Sequence, residues 1–249
     1  KGKFLDTPGD RGMFDYYVFQ GRLRRNICVQ LGYDPLRTQA WGSCRFEPSW
    51  QKLNLSICPP VPVCLKDRLG FKLVFMDHQY DYNVDTSAIW STLYKLAAIE
   101  GLTLVIKTST REGKSAHVDS YRNKLSNLTN VVFVNSEVHS PSLIQWSDCV
   151  VNYGSSIGIE AIMQNKPLIT PTYMHSNRTL FEDFGAGVVV HSAEELLVEV
   201  ERLISGESPQ PYADAEESLL REIVYGGREN KFNVAGFYIE QISSKYLNY

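Results

Sequence analysis

Between residues 70 and 205 the chain repeats one pattern. Short runs rich in branched apolar residues, KLVFM (72–76), LTLVIK (102–107), NVVFVN (130–135), DCVVNY (148–153), PLIT (167–170) and GVVV (187–190), are separated by turns or by stretches of helical period. An apolar run without polar alternation predicts a strand buried on both faces. The intervening helices are predicted over 86–100, with Ile89, Leu93, Leu96 and Ala97 on one side and Gly101 as its stop, and over 116–125. Others are predicted over 140–147 with Ser140 as N-cap, over 156–164, and over 192–204, where Ser192 is followed three places on by Glu195. Strands that alternate with helices through short connections demand a parallel sheet covered on both faces. Residues 70–205 are therefore expected to form a doubly wound α/β domain. In such a sheet, ligands sit at the carboxyl ends of the strands where the strand order reverses.

The rest of the chain is less regular. Residues 14–19 (FDYYVF) and 38–41 (TQAW) read as strands around a helix at 22–31 that ends at Gly32. These elements cannot build a core alone, so residues 1–46 are expected to be the incomplete end of a second domain. Residues 47–69 carry four prolines within 47–66 and show no clear period, which predicts a linker. Residues 206–249 offer amphipathic helices.

Composition narrows the class. A chain of 249 residues has room for one large or two modest cores. Its 43% hydrophobic and 21% charged content is that of a globular protein. A net charge of -3 argues against a nucleic-acid partner bound through a basic surface. No apolar run approaches the roughly 20 residues of a membrane span, and the first residues lack a signal-peptide pattern. The five cysteines are odd in number and without CxxC spacing, which predicts free thiols in the cytoplasm and no zinc site. The three Asn-x-Ser/Thr sequons, at Asn54, Asn127 and Asn177, are matches that a chain of this length produces by chance.

Three polar clusters fall at the predicted strand ends. Residues 77–82 place His78 among acids and tyrosines. Residues 107–112 place Lys107 and Arg111 around Thr108, Ser109 and Thr110, a set that suits a phosphate or carboxylate clamp, a reading that its position at a strand end favours over that of a solvated loop. The third, Tyr153-Gly154-Ser155-Ser156, joins a strand to a helix. Such a turn points backbone N–H groups and two hydroxyls at one small volume suited to an anion. Glu160 lies one turn into the helix and reaches toward that mouth. The plain alternative makes Ser156 an N-cap and Glu160 an exposed helical carboxylate. The turn is neither GxGxxG nor a P-loop, which disfavours dinucleotide and ATP-hydrolase readings.

The run from KTSTRE (107–112) through QWSDCVVNYGSSIGIEAIMQNKPLIT (145–170) to FEDFGAGVVVHSAEELLVEVERL (181–203) resembles the donor-binding domain of GT-B glycosyltransferases. Within that group it is most similar to bacterial surface-polysaccharide enzymes, including Kdo transferases. The resemblance implies a Rossmann-like domain that binds a nucleotide sugar through Lys107, Ser109, Thr110, Arg111, Tyr153, Gly154, Ser155, Ser156 and Glu160, with His78 beside them. Residues 19–50 resemble the last elements of the acceptor-side domain, which makes that domain look truncated, and the part from Tyr212 on (206–249) resembles the helices that in such proteins pack back on that domain. The His-Pro of many relatives is replaced around Thr108 and Ser109.

The expected activity is metal-independent sugar transfer, with no cofactor beyond the donor substrate, from a CMP, UDP or CDP sugar such as CMP-Kdo to a glycan or glycolipid. Catalytic residues are unassigned. Asp10 and Asp15 are weak candidates beside the plainer reading of exposed carboxylates. Peripheral attachment to the inner membrane face through a missing domain or partner fits the same reading. The alternatives are a nucleotide-sugar 2-epimerase of this fold and a non-catalytic nucleotide-sugar-binding domain.

Overall fold

The computed structural model describes residues 14–77, 83–108, 123–125, 127–135, 137–207 and 212–246. The chain divides into two compact units, Leu53–Glu216 and the pair Lys1–Lys52 with Glu217–Tyr249.

The larger unit is built on six strands: β3 (Phe71–Met76), β4 (Leu102–Lys107), β5 (Val131–Val134), β6 (Cys149–Asn152), β7 (Leu168–Pro171) and β8 (Val188–Val190). All pair in parallel, in the order β5-β4-β3-β6-β7-β8. The chain thus starts in the middle, winds outward to β5, then returns to β3 and winds out the other way. The reversal lies between β3 and β6, whose ends meet at Met76 and Asn152. Six parallel strands in this arrangement form the doubly wound, Rossmann-like sheet expected from the sequence.

The apolar runs lack alternation because both faces are covered. One face sets Leu73, Phe75, Leu104, Ile106, Val151, Ile169 and Val190 against Ile89, Leu93 and Leu96 of α4 (Thr86–Ala97) and Leu196 and Val200 of α8 (Ala193–Ile204). The intervening residues Val74, Val105 and Val150 are just as deeply buried. They point to the opposite face, where α5 (Ser140–Trp146) and α6 (Ile157–Met163) pack. The α8 cap forms as its sequence predicts: the Ser192 side chain accepts from Glu195 N–H, and the Glu195 carboxylate accepts from His191 N–H. The cap of α5 differs. His139 holds the N-cap position and Ser140 is already helical, with Pro141 in the first turn, where its missing N–H costs no helical hydrogen bond. Of the helix predicted over 116–125, residues 123–125 are described and are helical.

The proline-rich stretch predicted as linker carries two helices, α2 (Pro48–Ile57) and α3 (Val63–Lys66). Its prolines stand where a helix tolerates them. Pro48 opens α2, Pro59 and Pro60 follow it, and Pro62 is the N-cap of α3. The period was hard to see because α2 leaves Trp50, Leu53 and Ile57 exposed.

In the smaller unit, β1 (Tyr17–Phe19) and β2 (Thr38–Ala40) pair in parallel through the crossover helix α1 (Arg22–Gln30). The end of α9 (Ala213–Ile223) and α10 (Val234–Tyr246) complete it. The Glu222 carboxylate accepts from Leu23 N–H at the start of α1, Ser43 N–H donates to the Val224 carbonyl, and Trp41 stacks edge-on against Phe237 and Tyr238. Among the described residues no helix is long and apolar enough to cross a membrane.

Candidate functional site

At the reversal between β3 and β6 the loops that follow the two strands are tied together by side chains at the carboxyl edge of the sheet, where such folds bind their ligands. Tyr153, just past β6, donates its hydroxyl to the Asp77 carboxylate, just past β3, at 2.7 Å. The phenol is buried, with its ring near Phe75 on one side and stacked on His175 at a centroid distance of 6.1 Å. His175 follows β7 in a segment that pairs with the start of α4. Val84 and His175 form an antiparallel bridge, and Asp85 N–H donates to the Met174 carbonyl. The loops after β3, β6 and β7 therefore converge on Tyr153.

The turn that follows Tyr153 stands at the mouth. Gly154 has φ +96°, which lets the chain double back, and Gly154 and Ser156 are exposed. Asn152 is fully buried and donates from Nδ2 to the Ser155 carbonyl, fixing the turn from below. Ser155 supplies the local cap: its hydroxyl accepts from Ile157 N–H at 3.3 Å. Ser156 occupies the N-cap position of α6 without a side-chain cap bond. The two hydroxyls thus have different jobs, one structural and one facing outward. Among the described residues no acceptor meets the N–H groups of Gly154, Ser155 and Ser156. Glu160, in the first turn of α6, is only 3% exposed, so the picture of a solvated helical carboxylate does not hold. Its charge reaches the Cys58 thiol, where burial first and Glu160 second push the pKa up.

Lys107 ends β4 with its side chain buried at 3% exposure and its ammonium donating to the Asn135 carbonyl at 2.8 Å. Burial lowers its pKa to about 8. It lies on the sheet face that also carries Asn152 and Thr170. His78, Ser109, Thr110, Arg111 and Asp10 lie outside the described residues. Asp15 is described, exposed, in the smaller unit. Among the described residues no three His, Cys, Asp or Glu side chains gather as a metal set.

Several residues at this edge were not singled out from the sequence. Asp77 stood in the first polar cluster but had no assigned partner. The His175 imidazole is half-buried, accepts at Nδ1 from Asn177 N–H, and leaves a buried Nε2 without a hydrogen bond. Burial pulls its pKa down, against the opposing Glu182 charge. Thr179 caps α7 (Leu180–Phe184) in a reciprocal box with Glu182 and brings its methyl to the position a side chain on Gly154 would contact. The capping box T-x-x-E at 179–182 was the available signal for this loop.

Comparison with known proteins places this geometry in context. A family described as capsule polysaccharide biosynthesis protein matches residues 78–173, which include the loops after β3, β4 and β6. No curated protein matches the chain by sequence. Solved structures share the fold at low identity. Anabaena HepE in complex with UDP-glucose is 12% identical with a TM-score of 0.58, over 92% of this chain and 64% of that one. The UDP-GlcNAc 2-epimerase of Methanocaldococcus jannaschii, in complex with UDP-GlcNAc and UDP, is 14% identical with a TM-score of 0.65, over 94% and 62%. A glycosyltransferase from Rickettsia africae is 10% identical with a TM-score of 0.59, over 98% and 69%. The chain thus spans less than two thirds of the length of the first two, and it shares the fold of all three.

Proposed function

We propose that the chain is the donor-binding part of a glycosyltransferase of surface-polysaccharide assembly. The observation that carries this reading is the turn Gly154–Ser156 at the strand-order reversal, where Gly154 and Ser156 are exposed and the three N–H groups meet no acceptor among the described residues. A diphosphate or monophosphate ester bound there receives hydrogen bonds from fixed donors as negative charge grows on the leaving nucleotide. In the transfer, the bond from the anomeric carbon to the donor phosphate oxygen breaks and its electron pair stays with the phosphate. The acceptor hydroxyl oxygen forms the new glycosidic bond, and its proton passes to a base on the acceptor side.

In this reading Tyr153 and Asp77 hold the floor under the sugar or ribose, and Lys107 contributes positive charge through the loop after β5. Arg111 and His78, which the family resemblance adds to the donor contacts, complete the set. Charge neutralisation by these groups makes the transfer independent of a metal ion. The acceptor is a glycan or glycolipid, met at the cytoplasmic membrane face. The fold also suits a nucleotide-sugar 2-epimerase, to which the TM-score is 0.65, but the family match across 78–173 favours transfer.

Calorimetric titration with UDP, CDP, CMP and GDP, in the presence of a chelator, tests the site and selects the base. Saturable binding of one nucleotide that weakens in Ser156→Ala is expected. Equal affinity in that variant, or no binding of any of the four, would overturn the proposal. With the preferred nucleotide sugar, epimerised free donor in place of transfer to a glycan would select the second reading.

A further inference from the structure

We infer that Thr170 is a positioning residue for the turn Gly154–Ser156, acting through one internal water that joins its hydroxyl to the side-chain amide of Asn152. The two residues are neighbours by register. Val150 pairs with Leu168 and Val151 with Ile169, so the next pair along the parallel ladder of β6 and β7 is Asn152 with Thr170. Val151 and Ile169 belong to the face covered by α4 and α8, and strand alternation therefore sets Asn152 and Thr170 side by side on the other face. Both are fully buried there, at 0% exposure.

Each carries one polar atom that the protein does not satisfy. Asn152 Nδ2 donates to the Ser155 carbonyl at 2.9 Å, and because a carbonyl only accepts, the amide is oriented with Oδ1 turned away from it. Among the described residues neither Asn152 Oδ1 nor Thr170 Oγ1 has a hydrogen-bond partner, and the two do not bond to each other. Lys107, the cation of the same face, does not serve them. It stands on β4, with β3 between it and β6, and its ammonium donates to the Asn135 carbonyl beyond β5.

Buried polar groups in folded proteins are paired almost without exception, with protein atoms or with internal water. Neighbouring strands stand about 4.8 Å apart, and a water with two bonds of about 2.8 Å spans such an interval. The chemistry of the two atoms matches. Oδ1 only accepts, while the threonine hydroxyl both donates and accepts, so one water donates to the first and exchanges a bond with the second.

The bridge fixes the second end of the Asn152 amide. Held through Nδ2 alone, the amide has one tether; held at both ends, it keeps the Ser155 carbonyl, and with it the turn, in step with β7. The effect on ligand binding rests on the donor reading above, whereas the bridge itself does not.

Two variants separate this role from packing. Thr170→Val keeps the shape of the side chain and exchanges the hydroxyl for a methyl, and Thr170→Ser keeps the hydroxyl and loses the methyl. Loss of the water in Thr170→Val leaves Asn152 Oδ1 buried and unsatisfied. Its melting temperature should fall by about 2–4 °C and its affinity for the preferred nucleotide about three- to tenfold. Thr170→Ser should bind the nucleotide as the wild type does. A crystal structure of the wild type should show a water within hydrogen-bond distance of both oxygens, and that of Thr170→Val should lack it. A dry, unsatisfied hydroxyl predicts the reverse, since its removal stabilises a core. Equal or higher stability of Thr170→Val would therefore overturn the inference, as would unchanged affinity in that variant, equal loss of affinity in both variants, or a wild-type site without the water. If Thr170→Val does not fold, the wild-type density and the affinity of Thr170→Ser decide. A wild type that binds none of UDP, CDP, CMP and GDP would sink the donor reading and the positioning role with it, while the sign of the stability change still judges the bridge.

Discussion

The hydroxyl of Tyr153 and the carboxylate of Asp77 meet at 2.7 Å across the point where the sheet reverses its winding. Neither residue is on a strand. Each is the first beyond one, so their bond ties together two loops that the sheet merely brings near. A neutral donor on a carboxylate of this kind contributes about 1.5–3 kcal/mol. Tyr153→Phe keeps the ring beside Phe75 and His175 and removes the hydroxyl that makes that bond. Its melting temperature should fall by a few degrees, and its affinity for the preferred nucleotide should fall about tenfold. Thermal unfolding and titration measure the two separately. Unchanged affinity with lowered stability would make the pair a structural brace alone.

Gly158 tests how tightly the turn is supported from below. A Cβ built there would lie 2.6 Å from Phe181 Cζ and 2.8 Å from Asn152 Nδ2, the nitrogen that holds the Ser155 carbonyl. Gly158→Ala should cost about 1–3 kcal/mol by overpacking despite the better helix propensity of alanine. It should also weaken nucleotide binding by displacing Asn152. Chemical denaturation checks the first effect. A variant as stable as the wild type would mean that Phe181 moves aside freely.

The sheet was legible in the sequence because burial on both faces leaves an unambiguous mark. Val150-Val151 and Leu104-Val105-Ile106 have no polar alternation, and they sit at the centre of the order. The candidate site was placed by the same rule, since the clusters at 77–82, 107–112 and 153–156 follow β3, β4 and β6 in sequence. Side-chain partners were not legible. Nothing in the sequence couples Asp77 to Tyr153, 76 residues apart, because the pairing depends on strand register. Glu160 was expected to be either exposed or at the mouth; its burial reflects where α6 settles on the sheet face that α5 also covers. The helices at 48–57 and 63–66 were hidden for a local reason, prolines occupying first-turn and cap positions that a period count treats as breaks.

Lys107 gives a prediction with a definite sign. Its pKa is about 8 in the folded protein, below the ordinary lysine value that the unfolded chain regains. Between these two values the unfolded state binds more protons, so stability should rise as pH increases through about 8 and level off near the ordinary lysine pKa, about 10.4. Below pH 8 the burial penalty is fully present. Urea midpoints of the wild type and Lys107→Met, compared from pH 7 to 10, measure it. The difference should move in favour of the wild type as pH rises. Parallel profiles would mean that Lys107 is solvated in solution.

Glu222 governs the smaller unit in the same way that Asn152 governs the turn. Its carboxylate is 5% exposed, accepts from Leu23 N–H at 2.6 Å and from Arg22 Nε at 3.4 Å, and so caps the amino end of α1 from a helix 199 residues away in sequence. Gly21 is required beside it, since a Cβ there would come within 2.6 Å of Glu222 Oε1. Anionic groups at a helix amino terminus are favoured by the unsatisfied N–H groups and the helix dipole. Glu222→Gln keeps the shape and one acceptor but loses the charge, and should cost about 1 kcal/mol. Glu222→Ala should cost about 1–3 kcal/mol, because the part-buried Leu23 N–H then loses its acceptor. Amide exchange resolves the location: faster exchange confined to α1 and the β1–β2 pair is expected, with the six-stranded sheet unaffected. Equal loosening of both units would mean that they unfold as one and that the cap stabilises the whole chain.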